Sequence, residues 1–394
     1  MQLSFVGLLA TFLSLLLLAC NETPKNAQQT VDIEKLLSDR YDKLLAFKAD
    51  SVSFPRSYDK KKSEIRMVAS PDWTSGFYPG NLWLLDKLLV DNRFRQKAEV
   101  WTNLMINEQF NDRTHDMGFK IYCSYGNGYE ITNNEEYKKV IINSAKTLST
   151  RFNEKIGSLR SWDWNKDIWE FPVIIDNMMN LELLFETTRL TKDSFYHNLA
   201  VTHANTTLKN HFREDGSSYH VVVYDTLAGN VLMKVTHQGL NDESVWARGQ
   251  AWGIYGYTMA YRYTQDQRYL DRAKASADFF LSHPNLREDG IPYWDFYDPD
   301  IPDSPRDVSA GAIMAACLFE LAEHTGTQRY ADYSKKVLKT LQSTEYILDA
   351  DLDLPFILDH STGNWPKEDE IDGPINYGDY YFLEALIRSK GMGM

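Results

Sequence analysis

The stretch MAYRYTQDQRYLDRAK, residues 259–274, reads as the end of one helix, a short polar turn and the start of another. The first part closes near Thr264, and the aromatic Tyr269 opens the second, more charged helix. The same sentence is written in FETTRLTKDSFYHNLA (185–200), with Phe195, and in ELAEHTGTQRYADYSK (320–335), with Tyr330. DKLLVDNRFRQKAE (86–99) fits through Phe94 and YEITNNEEYKKVI (129–141) through Tyr137. A unit that recurs at irregular intervals is a helical hairpin with loops of variable length.

Upstream of these turns lie the starts of the first helices. They are PDWTSGFYPGNLW, RTHDMGFKIYCSYG, EFPVIIDNMMN, NDESVWARGQAW, SPRDVSAGAIMA and, near the C-terminus, DGPINYGDYYFLEAL. SAGAIMAACLFELA is apolar nearly all round, whereas DRAKASADFFLSH is amphipathic. The first kind is surrounded by protein and the second shows one face to water. Six hairpins of this kind predict an all-α (α/α)6 barrel, with an open α-solenoid as the runner-up. In the barrel every inner-helix N-terminus opens at one end, so loops, acids and aromatics converge on one pocket.

A formal charge of −13 without a basic cluster argues against nucleic acid or an anionic membrane surface as partner. Ten Trp and 23 Tyr suit either a large core or a ring-lined carbohydrate cleft. MQLSFVGLLATFLSLLLLAC (1–20) has the length and apolarity of a signal peptide. Its end, LLLLAC, resembles the bacterial lipobox, so Cys20 is the expected lipidation site and first mature residue. That places the protein in the periplasm or at the outer membrane, with plain secretion as the alternative. Residues 21–33 read as a polar tether and 34–394 as one catalytic domain. Cys123 and Cys317 are isolated in apolar surroundings and are expected to be free and buried.

The periodicity nominates a ring of carboxylates: Asp72, Asp116, Asp176, Asp242, Asp307 and Asp379. Asp242 and Asp307 precede helical runs and are expected to cap them; Asp72 is open. Asp176 follows Pro172-Val173-Ile174-Ile175, which puts it a turn or more inside a helix, where capping does not account for it. Asn177 and Asn180 are expected to hydrogen-bond it. An apolar setting and a second acid, Asp116, would raise its pKa and keep a proton available. A buried Asp satisfied by those amides is the competing reading.

THDMGF, IIDNMMNLELL, HQGLNDESVWARGQAWGIYGY, DSPRDVSAGAIMA and NYGDYYFLEAL together resemble the unsaturated glucuronyl hydrolases, glycoside hydrolase family 88. The resemblance runs from DWTSGFYPG to the C-terminus and implies an (α/α)6 barrel. It also implies a substrate, the unsaturated uronate that polysaccharide lyases leave at a non-reducing end. The implied reaction hydrates the C4=C5 vinyl ether instead of attacking the anomeric carbon. On the matching positions, Asp176 is the general acid and base and Asp116 its partner. His115, Gln238, Arg248 and Trp252 line the uronate subsite, Trp73 and Trp162 stack on sugar, and Tyr377 joins them. Local sequence alone allows an Arg248 salt bridge to Asp242 or Glu243 equally well. Ser361, Asn364 and Lys367, in HSTGNWPKEDEID, stand where relatives hold sulfate, as an imperfect version of that set. No metal or organic cofactor is implied. The expected partner is an unsaturated uronate-containing oligosaccharide of chondroitin, hyaluronan or heparin type. Alternatives are an unsaturated rhamnogalacturonyl hydrolase acting on pectin fragments, an inverting glucanase, or a non-catalytic glycan-binding lipoprotein.

Overall fold

The structure, a computed structural model, describes residues 32–48 and 53–392. The expected signal peptide, Cys20 and nearly all of the expected tether fall outside the described residues. From Ile33 onward the chain forms one unit.

Six helical segments make the inner ring. They are α2 (Phe77–Leu89), a π-helical turn (Gly118–Gly126) running into α4 (Asn127–Thr132), α6 (Asn177–Thr191), α8 (Ala247–Thr264), α10 (Val308–Thr325) and α12 (Asn376–Ser389). Each packs on the next, and α12 packs back on α2. That contact, between elements some 300 residues apart in sequence, closes the ring and excludes the open solenoid. Outside lie α1 (Ile33–Ala46), α3 (Asn92–Asn103), α5 (Glu135–Ser149), α7 (Ser194–Asn210), α9 (Gln267–Ser282) and α11 (Gln328–Leu341). Five hairpins are contiguous in sequence. The sixth outer position differs from the expectation of a serial repeat, because α1 arrives there from the other end of the chain. It packs on α2 and α3, and its buried Arg40 donates to the carbonyls of Asp349, Leu352 and Leu354.

The repeat has a backbone cause. Val90, Asn133, Lys192, Gln265 and Gly326 each end an inner helix in the left-handed conformation. The very next residue N-caps the outer helix: Asp91, Asn134, Asp193, Asp266 or Thr327. In the first four the side chain accepts the N–H two residues on, each worth roughly 1 kcal/mol. The burial patterns follow the sequence reading. Residues 308–321 of α10 are buried without a break, whereas α9 buries only Tyr269, Leu270, Ala273, Ser276, Ala277 and Phe280.

Short strands, which the helical reading passed over, decorate the open end. β1 (Ser53–Asp59) and β2 (Glu64–Ala69) form a hairpin, and β3 (Phe152–Asn153) and β4 (Ser158–Leu159) a brief ladder. β5 (Pro172–Ile174), β6 (Val221–Tyr224) and β7 (Val231–Val235) make an antiparallel sheet in that order. No described helix is long and apolar enough to cross a membrane. Cys123 and Cys317 are free and buried.

Candidate active site

The inner-helix N-termini surround a cavity of about 350 Å³. Trp73 precedes α2, His115 and Asp116 precede the π-helical turn, Asp176 adjoins α6, Trp246 and Arg248 begin α8, and Tyr377 begins α12; all line it. Trp162 and Gln238 line it from connecting segments, as does Asn364.

Asp176 is not inside its helix. Pro172–Ile174 pair with β6, and Ile175 donates its N–H to the His220 carbonyl, so the apolar run is drawn into the sheet. Helix α6 therefore starts at Asn177 and Asp176 occupies the N-cap position. Its side chain caps nothing. Asn177 donates instead to the Leu159 carbonyl, and Asn180 accepts from the Phe119 N–H, so neither amide bonds the acid. Asp176 Oδ2 is buried without a hydrogen-bond partner.

Burial raises the Asp176 pKa to about 7, with the nearby Asp116 charge adding to it; Arg248 and the residue's own N–H pull the other way. A helix N-terminus favours a carboxylate by only about 0.3–2 kcal/mol, so desolvation prevails. A raised pKa alone does not identify a catalyst. Asp379, buried in the first turn of α12, is raised to about 8, also by burial, but it accepts the N–H groups of Ile357 and Leu358 and holds that segment. Asp295 is raised by burial too, and accepts from Leu240, Ser244 and Tyr297. Asp176 differs from both in having a free oxygen and facing a cavity.

Asp116 accepts from the Thr114 hydroxyl at 2.7 Å and lies 3.2 Å from His115 Nε2. Burial keeps the His115 pKa low, so this ring is a neutral partner. Arg248 is fully enclosed. Its Nη1 donates to Asp307 Oδ2 at 2.7 Å and to the Thr362 carbonyl, and Nη2 to the Gly363 carbonyl. Its partner is thus Asp307, not Asp242 or Glu243. The guanidinium lies over the rings of Trp246 and Tyr377. Asp307 also caps α10 as expected, whereas Asp242 does not cap α8; it accepts from the Thr236 N–H. Asp72 is held by Arg56 and Thr74.

Three expected residues stand away from the cavity wall. Trp252 is wholly buried one helical turn below Arg248, where it backs Phe119, which does line the cavity. Ser361 is buried in a backbone bridge with Gly373, with its hydroxyl toward Gly378. Lys367 lies on the exposed 3-10 turn Trp365–Lys367, where its charge adds to the burial that lowers the pKa of His237. Of the three residues expected at a sulfate site, only Asn364 reaches the cavity.

The sequence reading missed several residues in the cavity wall or directly behind it. Arg56, from β1, sits over Trp73 and pairs with Glu370 and Asp72. Trp164 stacks on Trp162 at 4.9 Å with 12° between planes and leaves its outer face to solvent. His237 packs against both rings. His220 lies behind Asp176, with Nε2 at 3.8 Å from Oδ2. Arg56 and His220 come from strand segments that helical periodicity does not flag; Trp164 counts only among the ten Trp, and His237 only as the first residue of HQGLNDESVW.

The cavity wall collects orphaned polar atoms: Trp162 Nε1, Arg248 Nε, Asn364 Oδ1 and Tyr377 Oη are all buried and unpartnered. Unmet donors and acceptors cost about 1–3 kcal/mol each, which a hydroxyl-rich ligand would recover. At the opposite end of the ring a second cavity, of about 250 Å³, is walled by Glu182, Glu186, Arg262, Glu384 and Arg388. Its acids are already taken by arginine, as in Arg262–Glu182 and Arg388–Glu384, which marks it as a structural network.

Residues 48–263 match the model of Glycosyl Hydrolase Family 88. The unsaturated glucuronyl hydrolase of Formosa agariphila is 55% identical over 376 residues, covering 94% of this chain and 94% of its own. The crystal structure of an unsaturated glucuronyl hydrolase specific for heparin superposes with a TM-score of 0.88 at 44% identity, over 91% of this chain and 97% of that one. A mutant unsaturated glucuronyl hydrolase from Streptococcus agalactiae, complexed with dGlcA-GalNAc6S, superposes with a TM-score of 0.74 at 28% identity, over 91% of each chain. With the family model spanning more than half the sequence and the barrel closed around an acid-bearing pocket, the chain belongs to glycosyl hydrolase family 88 and is a glycoside hydrolase.

Proposed function

We propose that this enzyme removes 4,5-unsaturated glucuronic acid from the non-reducing end of lyase-generated glycosaminoglycan oligosaccharides, by hydrating the vinyl ether. The observation that carries the reading is Asp176, a carboxyl with a pKa of about 7 that lines the cavity Asp116 shares and caps no helix. Near neutral pH such a group both gives and takes a proton.

Asp176 transfers its proton to C4, and the electron pair of the double bond forms the new C4–H bond. Positive charge then spreads over C5 and the ring oxygen. Water adds at C5 and yields its proton to the Asp176 carboxylate, which restores the catalyst. The hemiketal opens and expels the second sugar. One acid–base carboxyl is enough, so two carboxylates flanking the anomeric carbon are not required. Asp116, presented by Thr114 and His115, accepts hydroxyl hydrogens and orients the ring. Trp73, Trp162 and Tyr377 supply apolar faces, and Asn364 and Gln238 supply amides at the rim.

The test follows loss of the conjugated ultraviolet absorbance with a panel of chondroitin, hyaluronan, heparin and pectin lyase products. The free enzyme must have Asp176 protonated, so kcat/KM is expected to fall above pH of about 7, tenfold per unit. An alkaline limb near pH 4 to 5 would mean that a different group gives the proton.

The same proposal places the enzyme in the periplasm or at the outer membrane, held through a lipid on Cys20. LLLLAC and the polar tether support this. Cys20→Ala is expected to move the protein from the membrane fraction to the soluble fraction and to abolish labelling by a fatty acid.

A further inference from the structure

His220 stands at the entry to β6, with the Trp246 ring against it at 4.6 Å. Two backbone N–H groups, those of His237 and Gln238, point at its Nδ1, each at 3.1 Å. A ring nitrogen that accepts carries no proton, so the single hydrogen of a neutral imidazole is on Nε2. Nε2 faces Asp176 Oδ2 at 3.8 Å, and neither atom has another partner. Arg248 does not compete for this oxygen through its Nη groups, which are committed to Asp307, Thr362 and Gly363.

We propose that His220 is a positioning residue whose Nε2–H is aimed at Oδ2 of Asp176, so that Oδ1 carries the proton delivered to the sugar. This rests on the proposed vinyl ether hydration. The proton leaves Oδ1 for C4, the alkene electron pair becomes the C4–H bond, and negative charge stays on the carboxylate. The Nε2–H then stabilises that charge until water returns a proton; His220 itself neither gains nor loses one. The separation is about 1 Å beyond a hydrogen bond, and catalytic contacts commonly tighten when substrate is bound. Burial supports a neutral ring by lowering the His220 pKa well below its usual value. The charged and titratable groups acting here are Arg248 and Asp116 on Asp176, and His237, Arg248, His211 and His115 on His220.

The test compares wild type with His220→Phe and His220→Gln. Phe removes the donor; Gln keeps an N–H on a side chain of similar reach. His220→Phe is expected to lower kcat roughly ten- to a hundredfold, with KM within about twofold. Its alkaline limb in kcat/KM should move up by about one to two pH units, because an unsupported carboxylate holds its proton more tightly. His220→Gln should keep kcat within about tenfold of wild type, with the limb near its original position. Nitrogen-15 spectra of histidine-labelled enzyme, assigned by the signal missing in His220→Gln, should show the Nε2–H tautomer for His220. A raised KM with kcat and limb unchanged would overturn the proposal by assigning the donor to the sugar, and so would a proton on Nδ1. Should wild type leave every alkene intact, the hydration reading fails by itself, and the tautomer spectrum still reports on His220.

Discussion

Asp176→Asn loses activity by about 10³-fold, the scale of a general acid, and at pH 8 the inactive protein is more stable than wild type. Both effects have one cause. Asp176 has a folded-state pKa of about 7, above the ordinary carboxyl range of the unfolded chain. Its contribution to stability is therefore fully present below about pH 4 and is lost as pH rises through about 7, because the unfolded chain can ionise and the folded one resists. A shift of that size corresponds to roughly 4 kcal/mol, of which hydration of the cavity leaves a part. Asparagine has nothing to ionise, so the variant should melt a few degrees above wild type at pH 8, and the gap should close by pH 4. Calorimetry at the two pH values checks this. Equal melting temperatures at pH 8, or an active Asp176→Asn, would remove Asp176 from the role.

Arg248→Met destabilises the fold by about 3–5 kcal/mol, because it leaves Asp307 as a fully buried carboxylate without its cation. Methionine replaces most of the apolar stem between Trp246 and Tyr377, so packing is not the main loss. The Thr362 carbonyl also loses this donor and the Gly363 carbonyl keeps only Gln238, which loosens the segment carrying Asn364 into the cavity. Adding Asp307→Asn should return much of the stability, since the stranded charge is gone while a side chain able to cap Ser309 remains. Urea titration of the four proteins gives the coupling directly. A double variant no more stable than the single one would show that the ion pair is not what Arg248 provides.

The barrel was legible because its signal is local and repeated. An inner helix ends, one residue turns left-handed, and an Asx or Thr cap starts the outer helix; the five occurrences differ mainly in loop length. Ring closure was also legible, through the apolar start of α12, but the use of α1 as the sixth outer helix was not. Nothing local in Ile33–Ala46 says that it packs across a join made by the far end of the chain. The acids were found because they sit at helix starts. Their roles then divided on partners that only folding brings together: Asp379 on two backbone N–H groups, Asp307 on Arg248, and Asp176 with Oδ2 left without a hydrogen bond. The error over the start of α6 has the same origin. Pro172–Ile174 are apolar whether they lie in a helix or pair with Val221–Val223, and the partner strand is nearly fifty residues away. His220 resembles the buried scaffold histidines His203 and His211 until its two N–H donors are placed.

The most direct measurement is a single turnover with enzyme in excess over an unsaturated glucuronyl disaccharide, recording absorbance of the double bond and release of the second sugar together. Protonation at C4 by Asp176 requires the absorbance to disappear no later than the sugar is released, mole for mole. Release of the second sugar while the absorbance persists would mean attack at the anomeric carbon, and would contradict the account.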